Sequence, residues 1–181
     1  MNKKTIDDIS ARGKRVLVRL DLNVPLDNGR IADDRRIRAA RPTVRKLIAD
    51  GGRVICMSHL GRPEETPESR RANSLAPVAR RLGELLEADV PFAQDCVGAP
   101  AARLAESLTD GRVGVLENLR FHKEEQSNDK KAADDVDLRK QKESFAREFA
   151  GLADIYVNDA FGTRHRDNAS MLTVPQLMQG K

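Results

Sequence analysis

The stretch RVLVRLDLNVP, Arg15 to Pro25, decides how the fold is read, because it delivers an apolar run directly into a polar turn. Val16, Leu17 and Val18 leave neither face hydrophilic, as a strand buried on both sides of a parallel sheet requires. Asp21 and Asn23 follow at its carboxyl end, where open α/β sheets place their ligands. Taken alone, this pair suits a binding site and a capped strand end turned by Pro25 about equally well.

Working outward, the same unit recurs. LDNGRIADD reads as a loop or short hairpin with Asn28-Gly29 as its turn. A helix starts near Asp33 or Asp34 and carries Arg35, Arg36 and Arg38; Pro42 is expected to break or restart it, and Gly51-Gly52 to end it. A second buried strand, VICM at 54 to 57, opens into SHLGRP, with His59, Leu60, Gly61 and Arg62. EETPESRRAN reads as a loop, and an amphipathic helix is predicted from an N-cap at Ser74 through Leu86. Val90 to Phe92 is predicted as a third strand and Ala101 to Leu108 as a helix. VGVL at 113 to 116 is a fourth strand that empties into ENLRFHKEE and Arg120. The charged stretch from Gln126 to Lys142 is predicted to begin as a solvated loop, and a helix resumes with Phe145, Phe149 and Leu152 on one face. A fifth strand, IYV at 155 to 157, leads into NDAFGTRHRDNAS with Arg164, His165 and Arg166.

This alternation predicts a doubly wound parallel sheet with helices on both faces, a three-layer, Rossmann-like α/β/α fold. Its 181 residues suit one compact domain. Right-handed crossovers place every strand end of such a sheet on one edge, so the Asp/Asn, His/Arg and Arg clusters share that edge. Convergent arginines repel unless an anion offsets them, and the planar guanidinium fork suits phosphate and carboxylate. A polyanionic metabolite is therefore the expected ligand.

Composition narrows the partners. The net charge is only +4 and aromatic residues are 3% of the chain, so stacking platforms for nucleic acid are scarce. Cys56 and Cys96 lie far apart without CxxC spacing, which favours reduced thiols in a cytosolic protein over a disulfide. His59, His122 and His165 are scattered, without metal-ligand spacing. MNKKTIDDISARGK lacks an apolar signal-peptide core, and no apolar run approaches membrane-spanning length. A cytoplasmic monomer is expected, with no nucleic-acid or membrane partner.

The segments RLDLNVP, DDRRIRAARPTVRKL, MSHLGRP, LENLRFHKEE and DIYVNDAFGTRHR, in this order and at similar spacing, resemble the amino-terminal half of phosphoglycerate kinase. The resemblance covers nearly the whole chain. It implies that 3-phosphoglycerate or 1,3-bisphosphoglycerate binds at Asp21, Leu22, Asn23, Arg36, His59, Leu60, Gly61, Arg62, Arg120 and Arg166. Arg36 then corresponds to the family arginine nearest the transferring phosphoryl group, and Arg120 and Arg166 complete the clamp on the 3-phosphate.

In that family a substrate carboxylate attacks the γ-phosphoryl group of Mg-ATP, or the reverse reaction makes ATP from ADP. A carboxylate is ionised at neutral pH and needs no general base, which fits a site rich in Arg. The sequence has no GxxxxGK[ST] and none of the family's Gly-rich nucleotide segments, so the nucleotide-binding domain is expected to be absent, with no Mg-ATP or Mg-ADP bound by this chain. Arg164 stands where the family commonly has a small residue, and Asp167-Asn168 also departs. Two classes of function follow: phosphoglycerate kinase represented by its substrate-binding half, inactive alone and completed by a separate nucleotide-binding domain, or a stand-alone, non-catalytic binding protein for phosphorylated acids. A decayed, truncated remnant is a third reading.

Overall fold

The computed structural model describes residues 5–127, 135–163 and 167–179. In chain order, β1 (Arg15–Leu20) is followed by a hairpin of β2 (Leu26–Asp27) and β3 (Arg30–Ile31), then α1 (Arg35–Ala49) and β4 (Arg53–Met57). Next come α2 (Pro67–Ala72), α3 (Ala76–Leu86), α4 (Gly98–Ser107), β5 (Val113–Val115), a 3-10 turn (Leu119–Phe121) and α5 (Lys123–Gln126). The long α6 (Val136–Leu152), β6 (Ile155–Asp159), a 3-10 turn (Phe161–Thr163), a π-turn (Ala169–Thr173) and α7 (Val174–Leu177) complete the described elements.

Strand β1 lies inside the sheet because its side chains are apolar on both faces. Among the described residues the main sheet runs β5-β4-β1-β6, parallel throughout, with Val18 opposite both Cys56 and Val157. The period-2 alternation of strands divides the core cleanly. Val16, Val18, Val54 and Cys56 pack against Ile37, Val44 and Leu47 of α1 and Val78 and Leu82 of α3. Leu17, Ile55 and Met57 face the opposite way, onto Leu104 of α4 and Phe145 and Phe149 of α6. Helices therefore cover both faces, as the sequence predicted. Leu17 and Ile55 are fully buried, and truncating either to Ala should cost about 2–5 kcal/mol.

Several local expectations are corrected. Pro42 does not break α1, which runs unbroken through it. A mid-helix proline costs about 3 kcal/mol, and burial of the stripe Ile37, Ala40, Val44 and Leu47 offsets it. The strand expected at Val90–Phe92 shrinks to one parallel bridge, Phe92 to Val115, because Pro91 has no N–H to give and only accepts from the Val115 amide. The loop EETPESRRAN contains α2, which Thr66 caps by accepting from the Ser69 amide with Pro67 at the first helical position.

Helix α3 starts at Ala76 rather than directly after Ser74. The cap is tertiary: Glu117 accepts from the Leu75 amide at 2.8 Å and from the Ser74 hydroxyl at 2.7 Å. Helix α4 begins at Gly98, ahead of the predicted Ala101. Both cysteines are free and buried. Among the described residues no helix is long and apolar enough to cross a membrane.

Candidate functional site

The predicted site residues gather where the strands end. Past β1, Leu22 is buried and Asp21 and Asn23 are half-buried, so the backbone turns with its polar side chains toward the edge of the sheet. Past β4, Ser58, His59 and Leu60 are buried, whereas Arg62 is exposed. Past β5, Glu117, Asn118 and Leu119 are buried and Arg120 is half-buried.

Hydrogen bonds stitch these exits together. The Leu22 amide donates to Ser58 Oγ at 3.0 Å, and the Gly61 amide donates to Asn23 Oδ1 at 2.8 Å. The Arg120 guanidinium donates to the Gly61 carbonyl. Asn118 clamps the same loop, accepting from the Leu60 amide at 3.1 Å and donating to the Leu60 and Asn73 carbonyls at 2.7 and 2.8 Å. Gly61 sits at φ +61°, and a Cβ there would meet Asn73 Oδ1 at 2.0 Å, so its glycine is required twice over. An open cleft of ≈ 430 Å³ lies among Asn23, Pro25, Leu60, Gly61 and Asn73.

Arg36 projects from the first turn of α1 and pairs with Asp21, although its side chain stays 53% exposed. Such a pair in water is weak enough to exchange for a stronger anion. The loop after β6 reaches the same place, because a Cβ at Gly162 would lie 3.1 Å from Asp21 Oδ2. Arg166 lies outside the described residues, as do Arg164 and His165.

A buried charged layer supports the edge, and the sequence reading missed it. Arg19 is 2% exposed, with its Nε donating to Ser170 Oγ at 3.0 Å and its Nη2 to His59 Nδ1 at 2.9 Å. A guanidinium only donates, so Nδ1 accepts and the proton of the neutral ring sits on Nε2. Glu125 is buried beside it and accepts from the Ser170 amide and hydroxyl at 2.9 and 2.6 Å. Burial raises the Glu125 pKa, while the charges of Arg19 and Arg120 and the Ser170 hydrogen bonds pull it back. Asn168 Nδ2 donates to the Glu125 carbonyl at 2.9 Å and Lys142 Nζ to the Asp167 carbonyl at 2.7 Å. The departure Asp167-Asn168 is thereby seated on its neighbours. The available signal was Arg19 itself, a charge inside an apolar strand.

These exits form a compact cationic edge with backbone amides fixed beside it, suited to a small ligand carrying phosphate and carboxylate. The family model described as phosphoglycerate kinase matches residues 6–181. The chain belongs to the phosphoglycerate kinase family. It is 54% identical over 173 residues to phosphoglycerate kinase of Prosthecochloris aestuarii, a match covering 94% of this chain and 39% of that protein. It is 50% identical over 182 residues to the enzyme of Anaeromyxobacter dehalogenans, covering 100% of this chain and 43% of the relative. Phosphoglycerate kinase from Pyrococcus horikoshii superposes with a TM-score of 0.77 at 34% identity, over 91% of this chain and 38% of that one. The Coxiella burnetii phosphoglycerate kinase gives 0.71 at 38% identity, over 91% and 37%. The chain thus spans about two fifths of the length of these relatives and corresponds to the amino-terminal domain of the family.

Proposed function

We propose that this chain is the 3-phosphoglycerate-binding half of phosphoglycerate kinase, the glycolytic phosphotransferase that moves a phosphoryl group between 1,3-bisphosphoglycerate with ADP and 3-phosphoglycerate with ATP. The observation that carries the reading is the linked set Arg36–Asp21 and Asn23–Gly61–Arg120, which joins three strand exits at one cationic edge. Asp21 and Asn23 take the hydroxyl and carboxylate region of the ligand, with Leu22 holding the turn between them. His59 donates from Nε2, and Leu60 and Gly61 supply backbone beside it. Arg62, Arg120 and Arg166 clamp the 3-phosphate. Arg36 leaves Asp21 for the phosphoryl group in flight.

The chemistry asks for alignment and charge neutralisation rather than a general base, because the acceptor carboxylate is already ionised. The nucleotide and its magnesium enter as substrate. These residues offer them no recognisable phosphate loop, so a nucleotide-binding domain outside these residues presents them. Alone, in the cytoplasm and as a monomer, the chain binds the phosphorylated acid without turning it over.

Calorimetry with 3-phosphoglycerate and with ATP tests the binding half. The acid should bind more tightly, and its affinity should fall as salt screens the arginines; comparable or tighter ATP binding would overturn the assignment. A coupled assay on the isolated chain should give no appreciable turnover. Joined to a competent nucleotide domain, Arg36→Ala should lower the turnover rate about 10³-fold with little loss of 3-phosphoglycerate affinity. Arg62→Ala and Arg120→Ala should weaken binding itself. If the acid binds but no nucleotide domain restores turnover, the second reading, a non-catalytic binding protein for phosphorylated acids, takes its place.

A further inference from the structure

The linear sequence separates its cysteines and histidines, but the fold brings one of each together beside a carboxylate. Asp95 and Cys96 lie in the connection that precedes α4, and His122 sits between the 3-10 turn Leu119–Phe121 and α5. His122 Nε2 is 2.7 Å from Asp95 Oδ1, across 27 positions of sequence. One oxygen, one sulfur and one ring nitrogen from these three residues all lie within 4.8 Å of one another. None of these three residues is among those assigned above to the phosphorylated acid.

The donor set is selective. Magnesium and calcium take oxygen ligands, so a thiolate and an imidazole argue against them. Carboxylate oxygen, thiolate sulfur and imidazole nitrogen together suit zinc, whose sites hold three such ligands with a fourth position for water. The geometry lies within reach of a tetrahedral ion. With metal bonds near 2.0–2.1 Å, an oxygen and a nitrogen ligand stand about 3.3 Å apart. The Asp95–His122 pair would therefore open by roughly 0.6 Å to admit the ion.

The surroundings favour a cation. Cys96 is fully buried, and its thiol makes no hydrogen bond to another described residue. The side chains of His122 and Asp95 are 24% and 38% exposed, which leaves a way in from solvent. A divalent ion at this point would meet the negative charge of the Asp95 carboxylate and hold the Cys96 sulfur as thiolate. The His122 ring is steadied by Phe145, with centroids 5.3 Å apart.

We propose that Asp95, Cys96 and His122 form a binding site for a zinc-class divalent cation.

The test uses the whole chain, stripped with a chelator and titrated with cobalt(II) as a spectroscopic probe, then with zinc by calorimetry. One equivalent of cobalt should bind with a thiolate-to-metal charge-transfer band, and zinc, but not magnesium, should displace it. Cys96→Ser and His122→Gln should abolish the band, whereas Cys56→Ser should keep it. Asp95→Asn, at a part-exposed position that leaves the core intact, should weaken zinc at least about tenfold, the scale on which even supporting residues of metal sites act. It serves as the deciding variant if Cys96→Ser fails to fold. Absence of the band, its survival in Cys96→Ser, its loss in Cys56→Ser, or unchanged zinc affinity in Asp95→Asn would overturn the site.

Discussion

Arg19 Nη2 lies 2.9 Å from His59 Nδ1, and both residues are almost wholly buried beneath the strand exits. The same guanidinium reaches Ser170, which in turn donates to the buried Glu125. Arg19→Met keeps the volume but leaves the Glu125 carboxyl without that counter-charge, and it removes the partner that fixes the His59 ring. Stability should fall by about 3–5 kcal/mol, as when one member of a buried charged pair is removed. Urea unfolding measures it, and a loss under about 1 kcal/mol would mean that the guanidinium compensates nothing.

Gly61→Ala combines a left-handed backbone with a Cβ placed 2.0 Å from Asn73 Oδ1. Gly98→Ala is its control, since Gly98 has φ +66° but open space around a Cβ. The control should lose only the backbone contribution, about 1 kcal/mol. Gly61→Ala should lose more and should weaken 3-phosphoglycerate binding, because the displaced loop carries the amide held by Asn23 and the carbonyl held by Arg120. Equal effects in the two variants would show that Asn73 yields without consequence.

Glu117 makes stability depend on pH in a definite direction. Burial raises its pKa above the ordinary 4.5, despite hydrogen bonds from the Leu75 and Asn118 amides and the Ser74 hydroxyl. The folded state therefore binds its proton more tightly than the unfolded chain, and this residue's contribution falls as pH rises from about 4.5 through the raised value. Glu117→Gln preserves an acceptor for both amides and removes the titration. Relative to the parent, the variant should gain stability over that window. Unfolding curves taken across it check the sign, and a constant difference between parent and variant would contradict it.

Native thiols should be nearly inert. Burial pushes the Cys56 pKa up to about 12, and the Cys96 pKa also lies well above its ordinary value. Since the thiolate is the nucleophile, a disulfide reagent should label neither cysteine at neutral pH until the chain unfolds. Rapid labelling of the folded protein would indicate local opening around β4 or the connection into α4.

The layer order and the polar strand exits were legible because they depend on local pattern. An apolar run such as Val16–Val18 followed by Asp21 and Asn23 reports a buried strand and its polar exit within eleven residues. Arg19 was not legible in the same way. Its meaning rests on Ser170, which is 151 positions away, and no periodicity links the two. Asn118 is similar: its carboxamide serves Leu60 and Asn73, both remote in sequence. Pro42 and Ser74 misled for a related reason, since burial of the α1 stripe overrides a local helix breaker and Glu117 supplies a cap from the loop after β5.

The placement of β1 between β4 and β6 also sets a timetable. Arg15 meets its partner Asp154 only after 139 further residues exist. At ribosomal speeds of about 5–20 residues per second, that interval is roughly 7–28 s. During it the β1–β4 pair can form, but the flank that will receive β6 has no strand, and Arg19 still lacks Ser170. The newborn chain thus carries a charged, half-built interior until β6, and Ser170 beyond it, have been made.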